Sequence, residues 1–178
     1  ERFREHLNAH GLFRLWADTD AGMVHELCMQ AMESSALRPH DELFVPGESD
    51  GRAHCLISGR AKYIQRPETA PVQWTRILHI PEGHWLCEAA LWSHWVHVGT
   101  ARASTRCQVL HLAAEGVAKV LAKHPLLGGI SVEYCRAFHR RLVGSSPPSS
   151  HWPDDLEVPF TDYSDMVVSM SKSAQAAV

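Results

Sequence analysis

Short β-type runs separated by turn residues fill the middle of this chain, between residues 37 and 112, and limit the possible folds more than any other feature. Pro46-Gly47 and Ser58-Gly59 each follow a short apolar run, and the alternating run over residues 72–80 ends at Pro81-Glu82-Gly83. Strands joined by tight turns have this pattern, because Gly, Pro and Ser adopt the conformations that close a turn. The spacing predicts a compact antiparallel roll, in which the run over 72–80 is the clearest strand.

Apolar residues recur at three- and four-residue steps on both sides of this region, which is the period of amphipathic helices. Residues 1–33 predict two short helices, broken near Gly11 and again at Asp18 to Asp20. From Ala113 the pattern predicts a short helix followed by a longer amphipathic one. We therefore expect an α+β protein, an antiparallel, jelly-roll-like β-roll flanked by N-terminal helices and two C-terminal helices.

The composition changes sharply after the last predicted helix. Ser145 to Ser150 is a Ser/Pro linker that cannot pack a core. Beyond it, an acidic tail carries a modest apolar cluster, so docking and disorder are both open for it. The predicted segments are N-terminal helices at 1–35, the roll at 36–112, C-terminal helices at 113–143, and the linker and acidic tail at 144–178.

Length and composition favour one globular, intracellular domain. The chain has 178 residues, 45% of them hydrophobic, and a net charge of -3 that gives no basic footprint for nucleic acid. Its five cysteines are scattered and lie in apolar runs, which is typical of reduced, buried thiols. No stretch approaches the roughly 18 consecutive apolar residues that span a bilayer, and the start without Met suggests a fragment of a larger protein.

Three segments, in this order and spacing, resemble the cyclic-nucleotide-binding domain family. They are Phe44-Val45-Pro46-Gly47-Glu48, Cys55-Leu56-Ile57-Ser58-Gly59-Arg60-Ala61 and Pro81-Glu82-Gly83-His84-Trp85-Leu86-Cys87-Glu88-Ala89-Ala90-Leu91. The resemblance runs from Leu12 to Val143. The stretch from Glu5 to Phe13 resembles the entry into this domain in cyclic-nucleotide-gated and voltage-gated cation channels, which implies a cytoplasmic domain of a membrane protein.

The resemblance places a phosphate cassette over residues 83–102. In the family, backbone amides at the start of a short helix and an arginine neutralise the cyclic phosphate, and a glutamate binds the ribose hydroxyl. Glu88 matches that glutamate, Cys87 stands where the family has glycine, and His97, or in a shifted alignment Val96, stands where it has arginine. The implied cAMP- or cGMP-binding residues are Cys87, Glu88, Ala89, His97, Val98, Gly99 and Tyr134, the last as a lid over the purine.

The replaced arginine decides how strongly a nucleotide is expected to bind. A bidentate, charge-assisted arginine–phosphate contact contributes roughly 1.5–3 kcal/mol, so its loss lowers affinity by on the order of tenfold to a few hundredfold. A neutral His97 does not replace that contact, although a protonated one binds phosphate weakly at low pH. Arg102 on the next strand is better explained as a surface charge. We expect weak cAMP or cGMP binding, or none.

Two functions remain open at this point. The first is a regulatory gating module of an ion channel, which senses a nucleotide or an internal mimic and forms a homo-oligomer through its parent transmembrane protein. The alternative is a ligand-independent structural or assembly module whose pocket is plugged by its own C-terminal tail, around Phe160 to Tyr163. In that case the charges of Asp154, Asp155 and Glu157 imitate phosphate.

Some of the same residues also have structural or metal-binding interpretations. His84-x-x-Cys87 and His94-x-x-His97 contain zinc-ligand residue types, but the six residues between the pairs are fewer than zinc modules commonly have, so we expect no metal. Glu88 could simply cap the backbone amides of a short helix. Tyr134 and Phe138 are equally suited to packing the last helix on the roll.

Enzymatic activity and DNA binding are not expected. The sequence has no Gly-x-Ser-x-Gly elbow, no phosphate-cradling glycine-rich loop and no carboxylate pair whose spacing predicts convergence. A DNA-binding regulator of this family would need a helix-turn-helix after the last helix, where this chain has the Ser/Pro linker.

Overall fold

A computed structural model describes residues 4–176 of the chain. Its strands are β1 (Met32–Leu37), β2 (Glu42–Phe44), β3 (Arg52–Ser58), β4 (Ala61–Gln65), β5 (Arg76–Ile80), β6 (Trp85–Leu86), β7 (Thr100–Ala103) and β8 (Cys107–Ala113). Its helices are α1 (Arg4–Asn8), α2 (Gly11–Thr19), α3 (Ala21–Gln30), α4 (Ala89–Trp92), α5 (Ala114–Leu121), α6 (Pro125–Gly144), α7 (Tyr163–Val168) and α8 (Lys172–Ala176). The first three residues of the predicted N-terminal segment and the last two of the predicted tail lie outside the described residues. No described helix is both long and apolar enough to cross a membrane.

Two four-stranded sheets form the roll, in the orders β1-β8-β3-β6 and β2-β7-β4-β5. Every strand pairing is antiparallel. Side chains of both sheets fill the interior, among them Leu56 and Val109 from the first sheet and Phe44, Tyr63 and Ala101 from the second. The predicted α+β class, with an antiparallel roll and flanking helices, is confirmed.

Strand β8 of the first sheet contributes to two cores, since neighbouring side chains of a strand point to opposite faces of the sheet. In β8, Val109 packs in the roll interior, whereas Leu112 packs against the helices. The helical core also contains Trp16 of α2 and Tyr134 of α6. The indole Nε1 of Trp16 donates a hydrogen bond of 3.1 Å to Ser131 Oγ, which ties α2 to α6.

The strand predicted over residues 72–80 is wrong in its first half. β5 begins at Arg76, which pairs with Gln65, the last residue of β4. Among the strands that the structure describes, β4 alone lies beside β5, so the residues before Arg76 have no described strand to pair with. Trp74, one of the alternating apolar residues, is 69% exposed.

The roll begins earlier than its predicted start at residue 36. α3 ends at Gln30, and β1 pairs with β8 in unbroken register from Met32–Leu112 to Leu37–Cys107. Four of the six residues of β1 are exposed, so its sequence lacks the apolar alternation that reveals a half-buried strand. The predicted break at Asp18 to Asp20 does occur, since Asp20 accepts hydrogen bonds from the amides of Gly22 and Met23 and so starts α3.

The C-terminal tail is docked on the rest of the protein. After α6 it returns along the roll, and the apolar side chains of Val158, Met166, Met170 and Ala174 join the helical core. Met166 is 0% exposed. The modest apolar cluster seen in the sequence is therefore the part of the tail that packs.

We expect Met166→Ala to lower the free energy of unfolding by about 2–5 kcal/mol, because the truncation leaves a cavity in the helical core. Val168→Ala, two residues away and on a side chain that is 77% exposed, is the matched control and should change stability by less than about 0.5 kcal/mol. Urea denaturation of the full chain measures both. Equal effects of the two substitutions would show that the tail does not pack as described.

Candidate functional site

The segment predicted as the cassette, residues 83–102, contains β6, α4 and the start of β7, and its His97 is held by the loop between β2 and β3. The amide of His97 donates to the carbonyl of Glu48, and the amide of Gly47 donates to the carbonyl of His97, both over 2.9 Å. Gly47 has φ 87°, a left-handed conformation that favours glycine. The Pro-Gly turn recognised in the sequence therefore fixes the position of His97.

Asp155, from the C-terminal tail, lies at the centre of the cassette and is 0% exposed. Its Oδ2 accepts hydrogen bonds from the amide of Val98 over 3.0 Å and the amide of Gly99 over 2.9 Å. The Tyr63 hydroxyl donates to the same oxygen over 2.6 Å. Two adjacent backbone amides that converge on one oxygen form the kind of anion-binding donor set that phosphates occupy.

The second oxygen of the carboxylate is equally well bound. Asp155 Oδ1 accepts from the indole Nε1 of Trp95 over 2.8 Å and lies 2.9 Å from Nδ1 of His97. The carbonyl of Asp155 also accepts a 2.7 Å hydrogen bond from the amide of Cys87. Because a buried carboxylate is costly unless it is paired and fully hydrogen-bonded, this donor set explains how Asp155 is accommodated.

The charges around Asp155 make His97 its counter-ion. Burial alone would lower the pKa of His97, but the hydrogen bond to Asp155 and the nearby negative charges of Asp155 and Asp50 outweigh it and raise the pKa to about 9. Burial, together with the charge of Asp155, raises the pKa of the Tyr63 hydroxyl, which therefore stays a neutral donor. Burial and the same charge also hold the pKa of the Cys87 thiol well above its usual range.

Glu88 lies next to this cluster but belongs to a different network. It accepts hydrogen bonds from the Tyr134 hydroxyl over 2.8 Å and from Trp92 Nε1 over 3.1 Å, and it pairs with His10 Nε2 at 3.1 Å. Burial favours its protonation, but the charge of His10 and these hydrogen bonds together lower the pKa of Glu88. Its side chain makes no capping hydrogen bond to α4, so the interpretation of Glu88 as a helix cap is wrong.

A hollow lies beside Glu88, the residue that matches the nucleotide-binding glutamate in the resemblance. It has a volume of about 390 Å³, and its lining includes His10, Glu88, Tyr134, Asp154 and Asp155. The tail thus forms one wall of the hollow that the resemblance assigns to a nucleotide.

The structure brings four of the predicted site residues together around Asp155: Cys87, His97, Val98 and Gly99. Ala89 is buried in the helical core, where its carbonyl accepts from the amide and the hydroxyl of Ser93. Tyr134 is 1% exposed, and its ring packs edge-on against Trp92 at 5.7 Å. Arg102 pairs with Glu42 near the surface.

Sequence reasoning missed two donors of the site. Tyr63 lies inside β4, and no motif in the sequence marks it as a binding residue. The ring of Trp95 contacts both cores, and its Nε1 also reaches Asp155. Asp155 is the tail residue that reaches the cassette. Of the predicted stretch from Phe160 to Tyr163, the last three residues line the hollow beside Glu88, whereas Phe160 is 60% exposed.

No protein-family model matches the sequence, and no curated protein matches it. Solved structures do match. A cyclic nucleotide-binding-like protein from Brucella abortus is 20% identical with a TM-score of 0.57, over 68% of this chain and 99% of that one. The N-terminal domain of a transcriptional regulator from Streptomyces coelicolor is 22% identical with a TM-score of 0.59, over 78% and 91%.

A channel domain is also similar to this chain. The C-linker/CNBHD of zELK channels, crystallised in the presence of cAMP, is 17% identical with a TM-score of 0.53, over 65% of this chain and 56% of that one. At these identities the comparisons establish the fold that the chains share.

We expect Tyr63→Phe to lower the free energy of unfolding by about 1.5–3 kcal/mol, because it removes a hydrogen bond to a buried charge. Tyr163→Phe is the control, since no hydrogen bond from the Tyr163 hydroxyl to a described residue is found. Chemical denaturation of both variants measures the difference. A Tyr63→Phe variant as stable as the control would mean that the hydroxyl does not bind Asp155.

Proposed function

We propose that this chain, which has the fold of cyclic-nucleotide-binding domains, is a regulatory module of an ion channel whose phosphate-binding position is taken by its own Asp155. The single observation that carries the proposal is the burial of the Asp155 carboxylate among two backbone amides, an imidazole, an indole and a phenol. A carboxylate held by those donors replaces the charge of a cyclic phosphate. A nucleotide can then bind only after Asp155 has left.

Competition with Asp155 lowers the apparent affinity of any nucleotide. If the pocket is open in only a small fraction of molecules, the apparent dissociation constant rises by the inverse of that fraction. Replacement of the family's arginine by His97 adds a further loss of on the order of tenfold to a few hundredfold. The two effects together favour a domain controlled by its tail over a domain controlled by ambient cAMP or cGMP.

Two arrangements of the tail provide a physical basis for regulation. With Asp155 bound, the tail is held on the cassette through the Asp155 carbonyl and the Cys87 amide, 2.7 Å apart, as well as through the carboxylate. Release of Asp155 would free the cassette and the adjoining tail. A partner or ligand shifts this equilibrium only by the difference in its affinity for the two arrangements.

Two features support a channel as the parent protein. The segment from Glu5 to Phe13, which resembles the entry into the domain in channels, forms α1 and the start of α2 and packs Leu7, Leu12 and Phe13 into the helical core. After α6, where a DNA-binding regulator would continue into a helix-turn-helix, the chain turns back and docks on the roll through Asp155. An ion-channel module accounts for both features.

We expect calorimetry with cAMP and cGMP to give no saturable heat with the unmodified chain and measurable binding with Asp155→Ala. Glu157→Gln, which changes an exposed carboxylate two residues away, is the control and should behave like the unmodified chain. If the alanine variant is unstable, Asp155→Asn, which keeps the shape of the side chain, takes its place in the titration. Equal binding by all variants would support a conventional nucleotide sensor and contradict the proposal.

We also expect His97→Arg, introduced into Asp155→Ala, to tighten cAMP or cGMP binding by roughly 10- to 100-fold, because it restores the charge-assisted contact to phosphate. His94→Arg is the matched control, since His94 lies in the same loop but is exposed. Titration calorimetry measures both double variants. If neither tightens binding, His97 does not occupy the arginine position, and the alignment of the cassette is wrong.

A further inference from the structure

Three buried side chains beside the Asp155 pocket have the chemistry of metal ligands. They are His54 of β3, Cys87 after β6 and His97 of the cassette, and one ligand atom from each lies within 4.8 Å of the others. All three are nearly inaccessible, with 1% exposure for His54 and 2% for Cys87 and His97. Imidazole and thiolate are the usual ligands of zinc in proteins.

The two histidines differ from most buried polar side chains in their hydrogen bonding. Nε2 of His54 and Nε2 of His97 are buried, and neither has a hydrogen-bond partner among the described residues. Buried polar atoms almost always have a partner, so an orphaned pair points to a ligand. The Asp50 carboxylate faces both nitrogens, with Oδ2 at 3.3 Å from His54 Nε2 and Oδ1 at 3.7 Å from His97 Nε2.

The Asp50 contacts are near the spacing of ligands around one tetrahedral ion. Zinc bonds of about 2.0–2.1 Å to nitrogen and oxygen place tetrahedral ligand atoms roughly 3.3–3.4 Å apart. Asp50 Oδ2 lies 3.3 Å from His54 Nε2, which matches this spacing, and Oδ1 lies 3.7 Å from His97 Nε2, which is slightly longer. Asp50 is 39% exposed, whereas the two histidine side chains are 1% exposed, so this carboxylate offers a route for the ion from solvent.

The other nitrogen of each histidine, Nδ1, already has a partner. Nδ1 of His97 lies 2.9 Å from Asp155 Oδ1 and 3.6 Å from Cys87 Sγ. Nδ1 of His54 lies 2.8 Å from Nδ1 of His111, whose Nε2 lies 2.7 Å from Ser35 Oγ. Metal-binding histidines characteristically donate their second ring N–H to a carboxylate or another acceptor, which leaves the free nitrogen for the metal.

We propose that His54 and His97, through Nε2, Cys87, through Sγ, and Asp50, through one carboxylate oxygen, form a zinc site. Zinc fits because the set combines two imidazoles, a thiolate and a carboxylate. Binding releases the thiol proton of Cys87 and any proton on the two Nε2 atoms to solvent. This site differs from the pairs suggested by the sequence, because His84 and His94 are exposed and take no part. It does not depend on the proposed function.

The test is titration of the full chain, first stripped with a chelator, with Zn²⁺ against a competing chelator, and separately with Co²⁺ followed by visible and near-ultraviolet absorption. We expect one Zn²⁺ per chain with a dissociation constant at or below about 1 µM. The Co²⁺ complex should show the bands of a tetrahedral ion and a thiolate charge-transfer band. Absence of saturable Zn²⁺ binding, or of the thiolate band, overturns the proposal.

Variants assign the ligands. Asp50→Asn leaves the buried residues intact, and Cys87→Ser keeps the side chain's size. Each should weaken Zn²⁺ binding by at least about 10- to 100-fold, the loss that even outer-shell changes produce, and Cys87→Ser should also abolish the thiolate band. The double variant His84→Ala, His94→Ala is the control and should bind like the unmodified chain. Unchanged binding in both ligand variants, or a loss in the control, overturns the site.

Discussion

The buried charge of Asp155 is the constraint on which the rest of the site depends. A carboxylate with 0% exposure is tolerated only where donors replace its lost water. Tyr63 of β4 supplies one of those donors. The others, from Trp95, His97, Val98 and Gly99, all belong to the loop between α4 and β7. One tail residue therefore holds together parts of the roll that are distant in sequence.

The backbone conformation of the roll near Asp155 places these donors. The left-handed turn at Gly47 places backbone groups against His97, and the inward face of β4 places Tyr63 under the cassette. Cys87 also has a left-handed backbone, with φ 58°, at the position where the family that the sequence resembles has glycine. Such a conformation costs a non-glycine residue about 1–3 kcal/mol, and here the Cys87 amide is fixed by the carbonyl of Asp155.

Turn residues and periodicity predicted the roll and the flanking helices, whereas the position of the cassette came from the resemblance to cyclic-nucleotide-binding domains. The predictions from local patterns failed where the cause lies outside the local sequence. Nothing near Val72 shows that β4 ends at Gln65, and the exposed face of β1 hides its strand character. The acidic residues of the tail suggested a phosphate mimic, but the choice of Asp155 depends on contacts with Tyr63 and Gly99, which lie 92 and 56 residues away.

The packing of the tail has a consequence for how fast the pocket can change state. Val158 and Met166 remain anchored in the helical core on the C-terminal side of Asp155, and α6 anchors the chain on the other side. If the Asp155 carboxylate detaches, the anchored chain on both sides keeps it near the cassette. Its effective concentration there is of millimolar order. Rebinding of Asp155 is then an intramolecular step that does not require refolding. A freely diffusing anion must compete with a carboxylate that stays close to the cassette.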